Sequence, residues 1–136
     1  MFIIDTREQK PLPMTPSVRK KLEVGDYTTK KLYNKFHVER KSLGDLYGTI
    51  TKGNNRFKYE LFRAAWHRID IVVVVEGTYL DFINKRFPKG NERKVSKGTL
   101  EKLIATFEKK YFLRFIWCRS RRDAKKAIST LFSQKK

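Results

Sequence analysis

Near the middle of the chain, Ile69 to Val75 reads IDIVVVV, apolar but for Asp70 and β-branched almost throughout. β-branched side chains are stiff at χ1 and suit a pleated surface better than a helix. The run shows no polar and apolar alternation, so neither of its faces is made for water, and strands of this kind lie covered on both sides. It is far too short to cross a bilayer. A strand buried on both faces needs a layer above and a layer below, and the rest of the chain supplies helical stripes for both. Leu43, Leu46, Tyr47 and Ile50 form one stripe, and Phe57, Leu61, Ala64 and Ala65 a second. Leu100, Leu103, Ile104 and Phe107 form a third, and Ala124, Ala127, Ile128 and Leu131 a fourth. The reading is therefore an α/β fold, a mixed sheet sandwiched by helices. With 136 residues the chain is expected to form one domain around one sizeable core. No internal repeat or low-complexity tract divides it.

The remaining elements follow from local signals. Phe2 to Ile4 is a short buried-type strand ending at Asp5, and Phe112 to Trp117 is another strand. Pro11, Pro13 and Pro16 exclude helix from the loop after Asp5, and a short helix is expected near Ser17, carrying Arg19, Lys20 and Lys21. Ser42 is a candidate N-cap, as is Ser120 with Asp123. Thr78 with Asp81 resembles a capping box for a helix that runs to about Phe87, where Pro88 stops it. Lys85 to Lys97 reads as a mobile basic loop.

Charge narrows the partner. The chain has 32 Lys and Arg against 14 Asp and Glu, a net charge of +18, and such a field attracts polyanions before any specific contact forms. Nucleic acid is the expected partner. Charge alone also fits a ribosome-like or chaperone-bound basic protein, or a domain on a membrane surface. Apolar residues make up 40% of the chain, too many for a disordered basic tail. The single cysteine, Cys118, can form no internal disulfide, and His37 and His67 lie too far from it in sequence to suggest zinc. No secretory leader or membrane span is legible, so a reducing, intracellular location is expected, cytoplasmic or with the nucleoid or nucleus.

Against this basic background the acids of Val24 to Asp45, VGDYTTKKLYNKFHVERKSLGD, require an explanation. Glu23 to Lys31 and Lys35 to Lys41 read as two strands joined around Tyr33 and Asn34, a hairpin that brings Asp26 toward Glu39. Side chains alternate along a strand, so Glu39 and Lys41 share one face and Arg40 points to the other. Two carboxylates beside an ammonium suit metal-assisted phosphodiester hydrolysis. The acids hold a hard divalent ion, the ion lowers the pKa of a bound water, and the lysine steadies the hydroxide or a phosphate oxygen. Bland readings compete: Asp26 as a turn residue, Glu39 in a surface ion-pair ladder, Asp45 as a first-turn acid after Ser42.

The arrangement is that of the PD-(D/E)XK nucleases, and two motifs make the likeness specific. Gly25-Asp26-Tyr27, then Glu39-Arg40-Lys41, then Asp45 resemble the GDX…ERKXXXD signature of the XPF-type structure-specific endonuclease family. IIDTREQKPLP resembles that family's first strand and loop, with Asp5, Arg7 and Glu8 at its DXRE element. The resemblance covers roughly residues 2 to 76. It implies a restriction-endonuclease-like core, a central mixed sheet flanked by helices. It implies a metal-dependent endonuclease acting on branched, flapped or forked DNA in repair or recombination. Asp5, Asp26 and Glu39 would ligate one or two Mg²⁺ or Mn²⁺ ions, Lys41 would position the nucleophile, and Asp45 would assist from behind. Arg40 is grouped with the catalytic residues, binding a phosphate or bracing an acid.

For DNA contacts the candidates are Arg7, Arg56, Lys85, Arg86, Lys89, Arg93, Lys94, Lys97, Arg121 and Arg122, with Arg119, Lys125 and Lys126 beside the last two. Roles for Glu8 and Glu60 are left open. The chain, residues 1–136, is expected to be a nuclease domain alone, without the helix-hairpin-helix module common in the family, and a homodimer is a further expectation. Some of Phe107, Tyr111, Ile128, Leu131 and Phe132 would then face a partner, or all would lie in the core. The alternative function is a DNA-binding or scaffold domain of the same fold that has lost cleavage, which the intact Asp26, Glu39, Lys41 and Asp45 argue against.

Overall fold

The valine run is an interior strand of the sheet. In the computed structural model, which describes residues 1–135, strand β5 (Asp70–Glu76) lies between parallel neighbours β4 (Phe36–Ser42) and β6 (Arg114–Cys118). The sheet continues from β4 through β3 (Tyr27–Thr29) and β1 (Phe2–Ile4) to the edge strand β2 (Ser17–Arg19), giving the order β2-β1-β3-β4-β5-β6. The pairs β1/β3 and β3/β4 are antiparallel, so the sheet is mixed. The α/β expectation holds.

Alternation along β5 divides its valines between two cores. Val73 and Val75 pack under α1 (Leu43–Ile50), α2 (Asn54–Trp66), α3 (Tyr79–Ile83) and α4 (Lys97–Lys110). Val72 and Val74 pack with Val38, Tyr27 and Phe36 under the last helix, α5 (Arg121–Gln134). All four valines are at most 6% exposed, and each such burial stabilises by about 1.5–3 kcal/mol.

The helix starts follow the capping signals. The hydroxyl of Ser42 accepts a hydrogen bond from the backbone N–H of Asp45, that of Thr78 from Asp81, and that of Ser120 from Asp123. Each such cap contributes about 1 kcal/mol. Because Ser42 both ends β4 and caps α1, the helix leaves the strand directly.

Three expectations change. Ser17 to Arg19 is a strand, not the start of a helix: its N–H and C=O groups pair in parallel with β1, and edge pairing outweighs a weak helical propensity. Helix α3 stops at Ile83 rather than near Phe87, with Lys85 at φ 57, so the chain turns before Pro88 can act. The basic stretch from Lys85 is tied down. Lys85 Nζ donates to the carbonyls of Arg93 and Val95, and Val95 N donates to the Tyr47 hydroxyl. Of the residues considered for a partner surface, Phe107, Ile128, Leu131 and Phe132 are buried and belong to the two cores, while Tyr111 packs against the first of them.

Candidate active site

A glycine sets the first acid. Gly25 has φ +79, and a Cβ there would sit 3.1 Å from His37 Cβ and 3.2 Å from Val38 O, so only glycine fits comfortably. This bend delivers Asp26 to the strand opposite, where its N–H donates to Val38 O at 2.8 Å and its Oδ2 accepts from Arg40 N at 2.7 Å. His37, fully buried on the same strand, is held between Val24 O and the N–H of Asn34, and burial keeps its pKa below the ordinary value despite the hydrogen bond to Val24. Hydrogen bonds on both ring nitrogens brace the hairpin.

Along β4 the alternation is as expected. Glu39 and Lys41 point toward α2, and Lys41 Nζ lies 3.5 Å from Glu39 Oε2. Glu39 is 8% exposed, and with Glu60 of α2 it borders a cavity of about 10 Å³ whose other walls are Val24, Gly25, Phe57, Leu61 and Ile71. Burial among these side chains, then the charge of Asp26, pushes the Glu39 carboxyl up to about 8. Asp26 rises to about 6, by burial first, with the Arg40 N–H opposing and Glu8 adding repulsion. Glu60 is raised too, by burial and then by Glu39. Burial draws Lys41 down, but Glu39, Asp26 and Glu60 together leave its pKa above the ordinary value. The structure thus gathers three acids around one lysine without enough positive charge to settle them.

Arg40 occupies the opposite face. Its guanidinium grips Glu8 through Nε and Nη2, both at 2.9 Å, donates to Lys10 O at 2.9 Å, and pairs with Glu76. Burial opposes the charge, yet Glu8 and Glu76 raise its pKa. Arg40 is therefore a brace between the N-terminal loop, β4 and β5, which also explains Glu8. Arg121 extends this brace, donating to the carbonyls of Lys10 and Pro11 at 2.8 and 2.9 Å.

Asp5 lies one strand away. Its Oδ1 accepts from Leu22 N at 2.8 Å and Arg7 Nη2 at 3.3 Å, and its Oδ2 from Arg7 Nε at 2.9 Å and Arg7 N at 3.2 Å. Burial works against its charge, but the hydrogen bonds from Arg7 and Leu22 hold its pKa below the ordinary value. Arg7 is correspondingly engaged with Asp5 and the carbonyl of Leu22. Asp45 is exposed in the first turn of α1, where it shares an open groove of about 490 Å³ with Lys41, Arg56, Glu60 and Arg93. Arg86 pairs loosely with Asp81 at 3.6 Å, while Lys89, Lys94, Lys97 and Arg122 are exposed, as are Arg119 and Lys126.

Glu60 is the residue that sequence reasoning undervalued. The available signal was its isolation, one acid in the thirteen residues of a basic helix, four positions after Arg56. Only the packing of α2 against α1 and β5 brings it to face Glu39.

A mixed six-stranded sheet with helices on both faces defines an α/β domain. The ERCC4 domain matches residues 4–131, and the chain belongs to the ERCC4 domain family. Among solved structures it is similar to XPF from Aeropyrum pernix in complex with DNA, with 23% identity and a TM-score of 0.74 over 98% of this chain and 64% of that one. A second structure of XPF from Aeropyrum pernix gives 21% identity and the same TM-score, with 98% of this chain and 60% of that one covered. The chain thus spans somewhat under two thirds of the structures it resembles, and the likeness to them is one of fold. No curated protein sequence matches it.

Proposed function

We propose that this protein is a structure-specific DNA endonuclease that uses Mg²⁺ or Mn²⁺ to hydrolyse a phosphodiester at a branch, flap or fork. The observation that carries the reading is the half-buried Asp26 and the buried Glu39, both raised in pKa, beside Lys41, which lines a groove with Arg56 and Arg93. Membership of the ERCC4 domain family supports it.

The residues fit a hard divalent cation. Among the described residues no three ligating side chains already converge on one point. When both are ionised Asp26 and Glu39 nevertheless repel one another, and a divalent charge would relieve that repulsion. Asp26 and Glu39 would hold the ion, with Glu60 the next acid in reach. Asp5 would join only by exchanging a hydrogen bond from Arg7 or Leu22. When bound, the ion supplies an activated water and neutralises charge on the phosphate.

The chain's own residues do the rest. Lys41 donates to the attacking oxygen or to a nonbridging phosphate oxygen, on the side where charge develops. Arg56 and Arg93 line the groove with Lys41 and attract the backbone of the substrate, while Asp45 in the same wall repels phosphate and restricts where it can rest. Arg40 acts through the backbone, holding β4 so that its N–H positions the Asp26 carboxylate.

Cleavage of forked, flapped, four-way and linear DNA, with and without Mg²⁺ or Mn²⁺, tests the proposal. Cutting of branched DNA that depends on the metal is expected. Tight binding of all four with no cleavage under any metal would instead establish the scaffold alternative. The homodimer expected from the resemblance would have to use surface other than the buried Phe107, Ile128, Leu131 and Phe132, and the mass in solution decides it.

A further inference from the structure

Helix α2 has a second face that the groove does not use. Phe57, Leu61 and Ala64 turn inward, yet on the opposite side Tyr59, Phe62 and Trp66 are 65%, 62% and 76% exposed. Their spacing, three and then four residues, places them in one stripe along the helix. The Phe62 and Trp66 rings lie 6.4 Å apart between centroids with their planes 29° from parallel, a loosely stacked pair open to solvent. Such a patch contributes nothing to the core and costs free energy in water, which marks it as a contact surface.

Charge says what the contact is. Arg56, one turn before Tyr59, is exposed, and Lys58, one turn before Phe62, is half-buried, so the stripe is bordered by cations. The one acid of the helix, Glu60, is turned away toward Glu39. A second copy of this chain, with its net charge of +18, would bring more cations against Arg56 and Lys58, whereas a polyanion would neutralise them. Aromatic faces bordered by cations are what unpaired nucleic acid requires: bases stack on the rings and phosphates meet the charges. Duplex DNA exposes base faces only at its two ends.

Position ties the stripe to the groove. Arg56 and Glu60 line the groove beside Lys41, and the same helix carries Tyr59 to Trp66 onward. At a rise of 1.5 Å per residue the stripe is about 10 Å long, room for roughly three stacked nucleotides at 3.4 Å each.

Building on the nuclease reading of the groove, we propose that Tyr59, Phe62 and Trp66 form a base-stacking track for the single strand that leaves a branch point. The track would let the enzyme distinguish a fork or flap from continuous duplex by binding the unpaired arm.

The test is anisotropy of fluorescein-labelled oligothymidylate and of a labelled duplex of equal length, in EDTA, with the full chain. Phe62→Ala and Trp66→Ala should each weaken single-strand binding about tenfold and leave duplex binding unchanged. Both positions are exposed on a helix that alanine favours, and circular dichroism confirms that the fold is intact. Trp66→Phe should restore most of the affinity, whereas Trp66→Leu, apolar but without a ring face, should not. Unchanged single-strand affinity in both alanine variants overturns the track. So does an equal loss on duplex, or a wild-type dimer in sedimentation that Phe62→Ala dissociates. The two readings fail separately. A wild-type protein that binds oligothymidylate through the stripe yet never cuts forked DNA refutes the nuclease assignment alone, and one that cuts forks with a stripe indifferent to substitution refutes the track alone.

Discussion

Replacing Asp26 by asparagine should stabilise the metal-free protein while destroying its activity. In the folded chain the carboxyl is pushed from 3.8 to about 6. Two pH units correspond to roughly 3 kcal/mol by which the ionised form is disfavoured, and that cost is fully present once the pH exceeds the folded value. Asparagine keeps an oxygen for the Arg40 N–H and removes the charge that opposes Glu39, but its amide must still be desolvated. A net gain of about 1–2 kcal/mol is expected at pH 8 in EDTA, or roughly 4–8 °C in Tm for a chain of this length.

The sign of the pH dependence follows from the direction of the shift. A carboxyl whose folded pKa is raised binds its proton more tightly in the native state, so the stability it confers is present below the unfolded value and lost as the pH rises through the folded one. The wild type without metal should therefore lose stability between about pH 4 and pH 8, as Asp26 and then Glu39 give up their protons. The advantage of the asparagine variant should vanish near pH 4. Thermal melts at pH 4 and pH 8, with EDTA and with Mg²⁺, provide the measurement, and Mg²⁺ should raise the wild-type Tm but not that of the variant. If Asp26→Asn lowers the Tm at pH 8, or changes it equally at both pH values, Asp26 is a structural residue and the repulsion argument is wrong.

Lys41→Ala should lower kcat for fork cleavage by about 10²–10³ with little change in folding or DNA affinity, read from single-turnover rates and binding isotherms. Arg40→Ala should lower stability by about 3 kcal/mol in urea melts, because it strands Glu8 and leaves Glu76 only Arg121 at 3.9 Å, with the two acids 11% and 17% exposed in their side chains. Normal stability with lost DNA binding would show instead that Arg40 contacts phosphate. Charge reversal of Arg56 and Arg93 together should weaken binding to every DNA sequence alike and reduce the slope of log affinity against log salt by about 2. An unchanged slope would remove the groove from the DNA interface.

Local chemistry was legible because it acts over a few residues. The valine run announced a strand with two covered faces, and Ser42, Thr78 and Ser120 announced helix starts, since capping and side-chain alternation need only neighbours. Alternation likewise put Glu39 and Lys41 on one face of β4 and Arg40 on the other. Tertiary structure decided whatever depends on residues far apart in the chain meeting. Ser17 to Arg19 became a strand only because β1 offered an edge to pair with. Arg40 became a brace only when Glu8 and Glu76, 32 and 36 positions away, closed on its guanidinium. Glu60 joined the acids when α2 packed against α1 and β5, and the raised pKa values came from burial that no local pattern records. A carboxylate has the same formula on a surface as in a core; what makes it reactive is the water the fold removes and the charges the fold leaves beside it.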